Sequence, residues 1–490
     1  MYFQDQADDL SAAREIVQAA ATGQWSSLPL QGEPGPEWAV RHGVLFLYLL
    51  APMAAIANFD PYKTTLWFIG LSIFSIWLVY EVGRLMWDKP TGLIAALLWA
   101  VSYESGIFAR AIWTPSPVPV FVLLSFIGVV QVYRGKVGYW PLAAVAAVAA
   151  SQLYIPGYAY VVFFLLLVLF GHMPRPKRTA TWVLTTIPSA LLVLPSLLSE
   201  YTLRFRSFTH LAHMVRSAST SQVGGSLLGP ISSFVRFFLS LLLPTETASY
   251  KGNIDDMFFL VVLGACVGGF FLGSIGAIRR TYHHLLHVRL PSPGPKYRAR
   301  LLIYWVVVAA FTVFIAEQTY PGYEIDRYVF WMMPFVALAL GRALWALIAS
   351  ASWRVLGIFI LLVIAGSNLS ATRNLIWENK NARFNYGDTM VLLRTLQADV
   401  GDRPYDLVVR ISSEEYSHAG SLYLITYHGW ELPQRFNGLT EYSSWATEYR
   451  LGGETTVAQY TLTNMEDAID FPLGDTIAGS GDLTLYKLKY

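Results

Sequence analysis

The sequence predicts a mainly α-helical protein, a polytopic transmembrane bundle of about 10–12 spans followed by a small extracytoplasmic α/β domain. Three observations predict it. Of 490 residues, 54% are hydrophobic and 14% charged, where an average soluble chain carries roughly a quarter charged. Apolar runs of about twenty residues, long enough to cross a bilayer core, recur as far as Ser370. Beyond Ser370 the composition turns to that of a soluble domain.

The first fifteen residues, Met1 to Glu15, are polar, and Asp5, Asp8 and Asp9 crowd ahead of Arg14 and Glu15. The pattern predicts that Asp9 N-caps a helix through Ser11 to Ala21, with Asp5 in the approach loop. A carboxylate so placed can serve as a base. The plain alternative is that these acids complement a helix N-terminus and keep a loop solvated. The first ten residues carry neither the basic region nor the apolar core of a secretory signal. Next, Gly43 to Phe59 is a short apolar stretch. Arg41 and His42 before it, Pro52 within it and the short connection Asp60 to Lys63 favour an interfacial or re-entrant helix over a clean span.

Full-length apolar runs follow at 64–84, 91–109, 117–133, 138–154, 156–172, 179–199, 257–278, 300–317, 327–349 and 353–370. Arg84 and Lys89, Arg134 and Lys136, the cluster Arg175, Lys177 and Arg178, the run Arg279 to Arg300, and Arg342 with Arg354 fall in alternate connections. The positive-inside rule makes those cytoplasmic. Residues 1–63, the connections 106–116 and 318–326, the long loop 200–256 and everything after Ser370 then face outward. In the long loop Arg204, Arg206, His210, His213 and Arg216 suit either lipid headgroup contact or anion binding. Domain boundaries follow: 1–370 for the membrane domain, 371–490 for the soluble one. Within the latter, Asp388 to Asp399 and Glu414 to Tyr427 read as helices, and Tyr405 to Ile411, Thr455 to Leu462 and Leu483 to Lys489 as strands. A single cysteine, Cys266, rules out an intrachain disulfide. No phosphate loop, dinucleotide fingerprint or internal repeat is present.

The outward side gathers acids (Asp5, Asp8, Asp9, Glu33), arginines at helix mouths (Arg110, Arg327) and aromatics (Trp113, Tyr154, Tyr158, Tyr320, Tyr323). A carboxylate can take a proton from a hydroxyl, and a guanidinium can grip a phosphate with two parallel hydrogen bonds. Prolines break the chain near the same level: Pro115, Pro117 and Pro119, Pro156-Gly157 and Pro321-Gly322. Irregular backbone at membrane depth is tolerated mainly where it lines a cavity. Interfacial snorkelling for the arginines and an interface belt for the aromatics are the plain readings. His42, His210 and His213 lie outward beside acids but show no close ligand spacing, so neither a metal nor another cofactor is expected.

The order Asp5-Gln6-Ala7-Asp8-Asp9, Ala13-Arg14-Glu15-Ile16, Gly32 and Arg41-His42-Gly43 resembles the first extracytoplasmic loop of the multi-spanning glycosyltransferases that use polyprenyl-phosphate sugars, the protein mannosyltransferase and aminoarabinose transferase superfamily with its GT-C fold (glycosyltransferase family 39 in bacteria). Gly83-Arg84-Leu85, the run Gly92 to Leu98, Ala109 to Pro115, Arg327-Tyr328 and Met333-Pro334 are similar as well. The similarity covers about residues 1–370. It implies that Asp5 is the catalytic base, with Asp8 and Asp9 beside it. On this reading Arg110, Arg327 and either Arg204 or Arg206 are the candidate clamps for the donor phosphate, and Glu33, His42, Trp113, Tyr154 and Tyr323 are candidates for the substrate pocket. Implied partners are a polyprenyl-phosphate sugar, an acceptor of unknown kind and membrane lipids, with no nucleic acid. The implied place is a cytoplasmic membrane, with the site and the tail outside.

Two departures stand out. Family members carry a transmembrane helix ahead of this loop, so the reading frame is expected to extend upstream with one more apolar span. Ser116 also stands where many members have an acid. A transporter or lipid flippase with proline-broken helices is the alternative, although repeated halves are missing. A sensor or scaffold whose tail is the active part is a third reading. The orientation has a direct test: a reporter active only in the cytoplasm, fused after Tyr490, is expected to stay silent, and a lit reporter contradicts it.

Overall fold

The computed structural model describes residues 4–32, 42–170, 173–205, 209, 301, 305, 308–309, 312, 329–380, 386–401, 405–411, 435–440, 447–450, 459–463, 475–480 and 483–487. Two compact units divide the chain. One comprises Met1–Ser26, Leu50–Thr64 and Arg373–Tyr490, and the other Ser27–Leu49 and Thr65–Thr372.

The chain opens with α1 (Gln4–Thr22) and continues with α2 (Leu45–Ile56), α3 (Pro61–Met86), α4 (Lys89–Val101), α5 (Tyr103–Phe108), α6 (Val118–Tyr133), α7 (Trp140–Leu153), α8 (Gly157–Leu169) and α9 (Thr179–Thr202). After a 3-10 turn, Phe330–Met332, come α10 (Met333–Ala349), α11 (Arg354–Lys380) and α12 (Tyr386–Val400). Among the described residues four helical stretches are long and apolar enough to cross a membrane: Pro61–Met86, Thr179–Thr202, Phe330–Ala349 and Arg354–Asn374. Five shorter apolar helices accompany them, and the protein is a multi-pass membrane protein. At 12 residues, α2 reaches only about 18 Å at the helical rise per residue, well short of a bilayer core of about 30 Å.

Where the described residues cover the expected elements, three differ from the expectation. The apolar run 91–109 is two helices, because the Ser102 backbone turns out of α-helix (φ −58°, ψ 126°) and its hydroxyl caps α5 by accepting from the Ser105 amide at 3.4 Å. The last apolar helix does not stop at Ser370 but runs on to Lys380. The first helix begins at Gln4, so Asp9 is interior to it and caps nothing. Its buried stripe explains why: Ala7, Leu10, Ala13, Ile16 and Ala19 recur at three-residue spacing on both sides of Asp9. The expected span 257–278 and helix Glu414 to Tyr427 lie outside the described residues.

Glycines set how closely the membrane helices approach. A Cβ on Gly83 would stand 2.6 Å from Gly92 Cα, and one on Gly92 2.5 Å from the Tyr80 carbonyl oxygen, so α3 and α4 meet backbone to backbone. A Cβ on Gly341 of α10 would come within 2.7 Å of Ala95 N in α4. The α3–α4 turn is fixed by Asp88, which accepts from the Thr91 amide at 2.8 Å as the N-cap of α4 and lies 3.4 Å from Arg342 in the middle of α10. Similarly, Gly128 of α6 lies on Ala143 of α7, where the Ser125 hydroxyl donates to the Ala143 carbonyl at 2.5 Å. Small residues are what allow such approach in lipid, where no hydrophobic force drives helices together.

In the other unit a six-stranded sheet has the order β3-β2-β1-β4-β6-β5. Its strands are β1 (Asp406–Ile411), β2 (Arg435–Thr440), β3 (Thr447–Arg450), β4 (Gln459–Thr463), β5 (Asp475–Ser480) and β6 (Leu483–Lys487). Central β1 is parallel to both neighbours, with Leu407 opposite Phe436 on one side and Tyr460 on the other. The outer pairs are antiparallel, giving a mixed sheet. Helix α12 packs on β5 and β6. It buries Met390, Leu392, Leu393, Leu396 and Val400, and Gln397 donates to the Tyr405 hydroxyl at 3.1 Å.

Replacing Gly341 by Val drives a branched side chain into the α4 backbone. Overpacking of this kind costs about 1–3 kcal/mol. Thermal unfolding in detergent should therefore fall clearly for Gly341→Val, whereas Gly366→Val, with open space at its Cβ, should stay near the parent.

Candidate active site

Arg110 stands just past the end of α5, in the connection between α5 and α6. Its Nε donates to the Gly106 carbonyl at 3.1 Å, one helical turn back, which fixes where the guanidinium points. It is half-buried, and burial draws its pKa below the ordinary arginine value, with Tyr103 opposing the shift. An arginine keeps its proton through such a change. Among the described residues no other protein acceptor meets the guanidinium, so its remaining N–H groups are available to an anion. Trp113, three positions on, lies flat against Phe108 with centroids 5.6 Å apart, and Phe108 stacks on Phe330 at 3.9 Å. Ser116 donates to the Ala111 carbonyl at 3.0 Å. The turn is thus held by rings on one side and by its own backbone on the other.

A second polar cluster forms where α7 breaks into α8. The break has the sequence Tyr154-Ile155-Pro156-Gly157, and Gly157 seats directly on the last turn of α7. His42 meets this break: its Nδ1 accepts from the Ile155 amide at 3.4 Å and its ring lies 5.1 Å from that of Tyr154. Beside it, Gly43 packs so closely that a Cβ would stand 2.7 Å from Gln152 Cα. Gln152 is buried and uses both ends of its amide, donating to the Tyr158 hydroxyl at 3.1 Å and accepting from Ser196 at 2.7 Å. Further along α9, the buried Glu200 accepts from Gln31 at 3.1 Å. The Gly32 amide donates to the His42 carbonyl at 2.9 Å, drawing the two ends of the intervening loop together.

The three acids belong to the other unit, on α1. Position 5 is three residues from position 8 and four from position 9, the spacings at which helical positions are neighbours. Like charges at that spacing disfavour a helix by a few tenths of a kcal/mol each, and the positive N-terminal end of the dipole offsets this. Asp8 is exposed, and Asp9 is buried at 2% relative exposure. Arg204, two residues past the end of α9, is exposed with a left-handed backbone (φ 53°). Glu33, Arg206, Tyr323 and Arg327, together with His210 and His213, lie outside the described residues. Among the described residues no group of three His, Cys, Asp or Glu side chains gathers as a metal site.

So the structure joins His42 to Tyr154 and sets Arg110 and Trp113 on one turn. Sequence reading missed Gln152, Ser196, Glu200 and Gln31. They are single polar residues in or beside apolar runs, and only their separation along helices, such as Ser196 and Glu200 at four residues, hints at a shared face.

The helices and the sheet together have the fold of the multi-spanning membrane glycosyltransferases, the GT-C fold. Among solved structures the chain is similar to ArnT from Cupriavidus metallidurans bound to undecaprenyl phosphate, with TM-score 0.51, 11% identity and coverage of 96% of this chain and 97% of that one. ArnT in the apo state gives 0.46 at 10% identity, over 97% and 98%. Archaeal oligosaccharyltransferase AglB from Archaeoglobus fulgidus, in complex with an inhibitory peptide and a dolichol-phosphate, gives 0.48 at 12%, over 85% of this chain and 59% of that one. No protein-family model matches the chain, and no curated protein matches it in sequence.

Removing the Ser196 hydroxyl strips the donor from a buried amide oxygen, which costs about 1–3 kcal/mol. Ser196→Ala is therefore expected to lower the unfolding temperature in detergent. Ser196→Thr, which keeps the hydroxyl, should recover most of the loss.

Proposed function

We propose that the protein is an inverting glycosyltransferase. It moves a sugar from a polyprenyl phosphate to an acceptor hydroxyl or amine on a lipid, glycan or protein at the outer face of the cytoplasmic membrane. The observation that carries the reading is the correspondence of fold over nearly the whole chain with ArnT bound to undecaprenyl phosphate. A half-buried guanidinium beside a helix break adds the chemistry a lipid phosphate requires.

The reaction needs one base and a clamp. The carboxylate of Asp5 takes the proton of the acceptor, and the acceptor oxygen or nitrogen attacks the anomeric carbon from the face opposite the phosphate. The bond between that carbon and the phosphate oxygen breaks, and its electron pair leaves on the polyprenyl phosphate. Phosphate is a stable anion, so no acid has to protonate it, and positive charge around it does the work instead. Arg110 and Arg327 supply that charge, with Arg204 and Arg206 as further donors. Position in the first turn of α1 favours the ionised form of Asp5 needed for a base. Asp8 and Asp9 lie one turn on as the rival bases. Glu33, His42, Trp113, Tyr154 and Tyr323 shape the pocket, and residues 371–490 form the extracytoplasmic domain.

The test separates binding from turnover. Asp5→Asn should retain polyprenyl-phosphate binding and lose product by at least about a hundredfold, within the range expected of a general base. Arg110→Lys and Arg327→Lys keep charge but lose the fork. They should weaken donor use by a substantial part of the roughly 1.5–3 kcal/mol a charged hydrogen bond supplies, with the acceptor dependence unchanged. Lipid movement across vesicles without product would make the protein a flippase. An unchanged rate in Asp5→Asn beside a dead Asp9→Asn would move the base one turn along α1.

A further inference from the structure

We propose that Asn368 is a positioning residue for the phosphate-gripping guanidinium. From within α11 it fixes the first residue of α5, and through α5 it sets the place of Arg110. The inference rests on the reading of Arg110 as a phosphate ligand. Asn368 is 1% exposed near the end of its span, with Ser367, Ser370 and Thr372 close by in the same helix, and a buried polar side chain is expensive unless it is hydrogen-bonded. Its Oδ1 accepts from the Tyr103 amide at 3.0 Å, and its Nδ2 donates to the Ile364 carbonyl at 3.0 Å.

The partner explains the choice. A helix of six residues is too short to hold itself, and its first amides have no intrahelical acceptor. In α5 two of them have side-chain acceptors, and the Gly106 amide makes the first bond back to the N-cap carbonyl. Tyr103 N–H goes to Asn368, Ser105 N–H to the Ser102 hydroxyl, and Gly106 N–H to the Ser102 carbonyl at 3.0 Å. One turn beyond Asn368, Thr372 donates to the Asn368 carbonyl at 2.9 Å and lies against Gly106, where a Cβ would be 3.9 Å from its methyl. Gly106 is the residue whose carbonyl holds Arg110 Nε. The line from α11 to the guanidinium therefore runs Asn368, Tyr103, Gly106, Arg110, and every step is a hydrogen bond or a single helical turn. A leucine at 368 would suit lipid and packing and leave the Tyr103 amide without its acceptor.

The experiment uses the full chain in nanodiscs and farnesyl phosphate as the probe, with farnesol as the control that lacks phosphate. Four proteins are compared: the parent, Arg110→Ala, Asn368→Leu and Asn368→Asp, the last retaining an acceptor oxygen. Hydrogen exchange of the Tyr103 amide is followed in parallel. Arg110→Ala and Asn368→Leu should each weaken farnesyl phosphate about tenfold, in line with loss of one hydrogen bond of the charged or buried kind. Asn368→Asp should stay within about threefold of the parent, farnesol binding should not change, and Tyr103 exchange should quicken in Asn368→Leu alone among the two Asn368 variants. If Asn368→Leu fails to fold, Asn368→Ala takes its place. Parent-like binding in Asn368→Leu beside a weakened Arg110→Ala overturns the role of Asn368 and leaves the phosphate reading standing. Equal losses in the Leu and Asp variants also overturn it, as a packing effect. Unchanged binding in Arg110→Ala removes the phosphate reading itself.

Discussion

Inside a bilayer every amide and carbonyl must find a partner within the protein, so a chain that leaves the helix at membrane depth has to be held at each break. This constraint governs the membrane unit. The α4–α5 break at Ser102 is held by that serine's own hydroxyl and by Asn368. At the α7–α8 break, His42 covers the Ile155 amide, and the Tyr154 carbonyl accepts from Gly157 at 2.8 Å. Both breaks carry residues proposed for the site, Arg110 after the first and the His42 and Tyr154 pair at the second.

Close helix approach supports the arrangement. Gly83, Gly92 and Gly341 allow α3, α4 and α10 to meet backbone to backbone. Above that seam Trp99 is buried against Phe330 with ring centroids 5.7 Å apart and donates to Ser75 at 2.7 Å. Phe330 in turn backs Phe108. Rigid packing below thus continues into the aromatic stack that walls the Arg110 turn, and a site on rigid elements keeps its geometry better than one on free loops. The outward faces of α3 and α11 carry Trp67, Trp77, Phe359 and Leu362 in exposed positions, as helices bathed in lipid should.

Much of this was legible in the sequence, for physical reasons that can be assigned residue by residue. Apolar length gave the membrane helices, and Pro156-Gly157 announced the α7–α8 break because proline lacks an amide and glycine admits close approach. Ser102 announced nothing, since a lone serine in an apolar run more often bonds back to its own helix. Asp9 misled for the opposite reason. It looks like a cap, but alanines on both sides of it continue the buried stripe back to Ala7, and the helix follows the stripe. Strands β2, β3 and β5 were not foreseen; in β2 and β5, Asn437 with Gly438 and Gly479 with Ser480 have poor strand propensity and owe their conformation to neighbours in the sheet. The Gln152 network was hidden by distance along the chain. Gln152 and Ser196 become neighbours only when α7 and α9 pack.

The central claim is that this fold carries out sugar transfer from a polyprenyl phosphate. The most direct measurement is incubation of the purified full chain in vesicles with a panel of polyprenyl-phosphate sugars and membrane-derived acceptors, followed by quantification of polyprenyl phosphate set free. Release with at least one donor, dependent on the acceptor fraction and on the protein, is the predicted result. No release from any donor, with the protein folded and binding the lipid, would contradict the account.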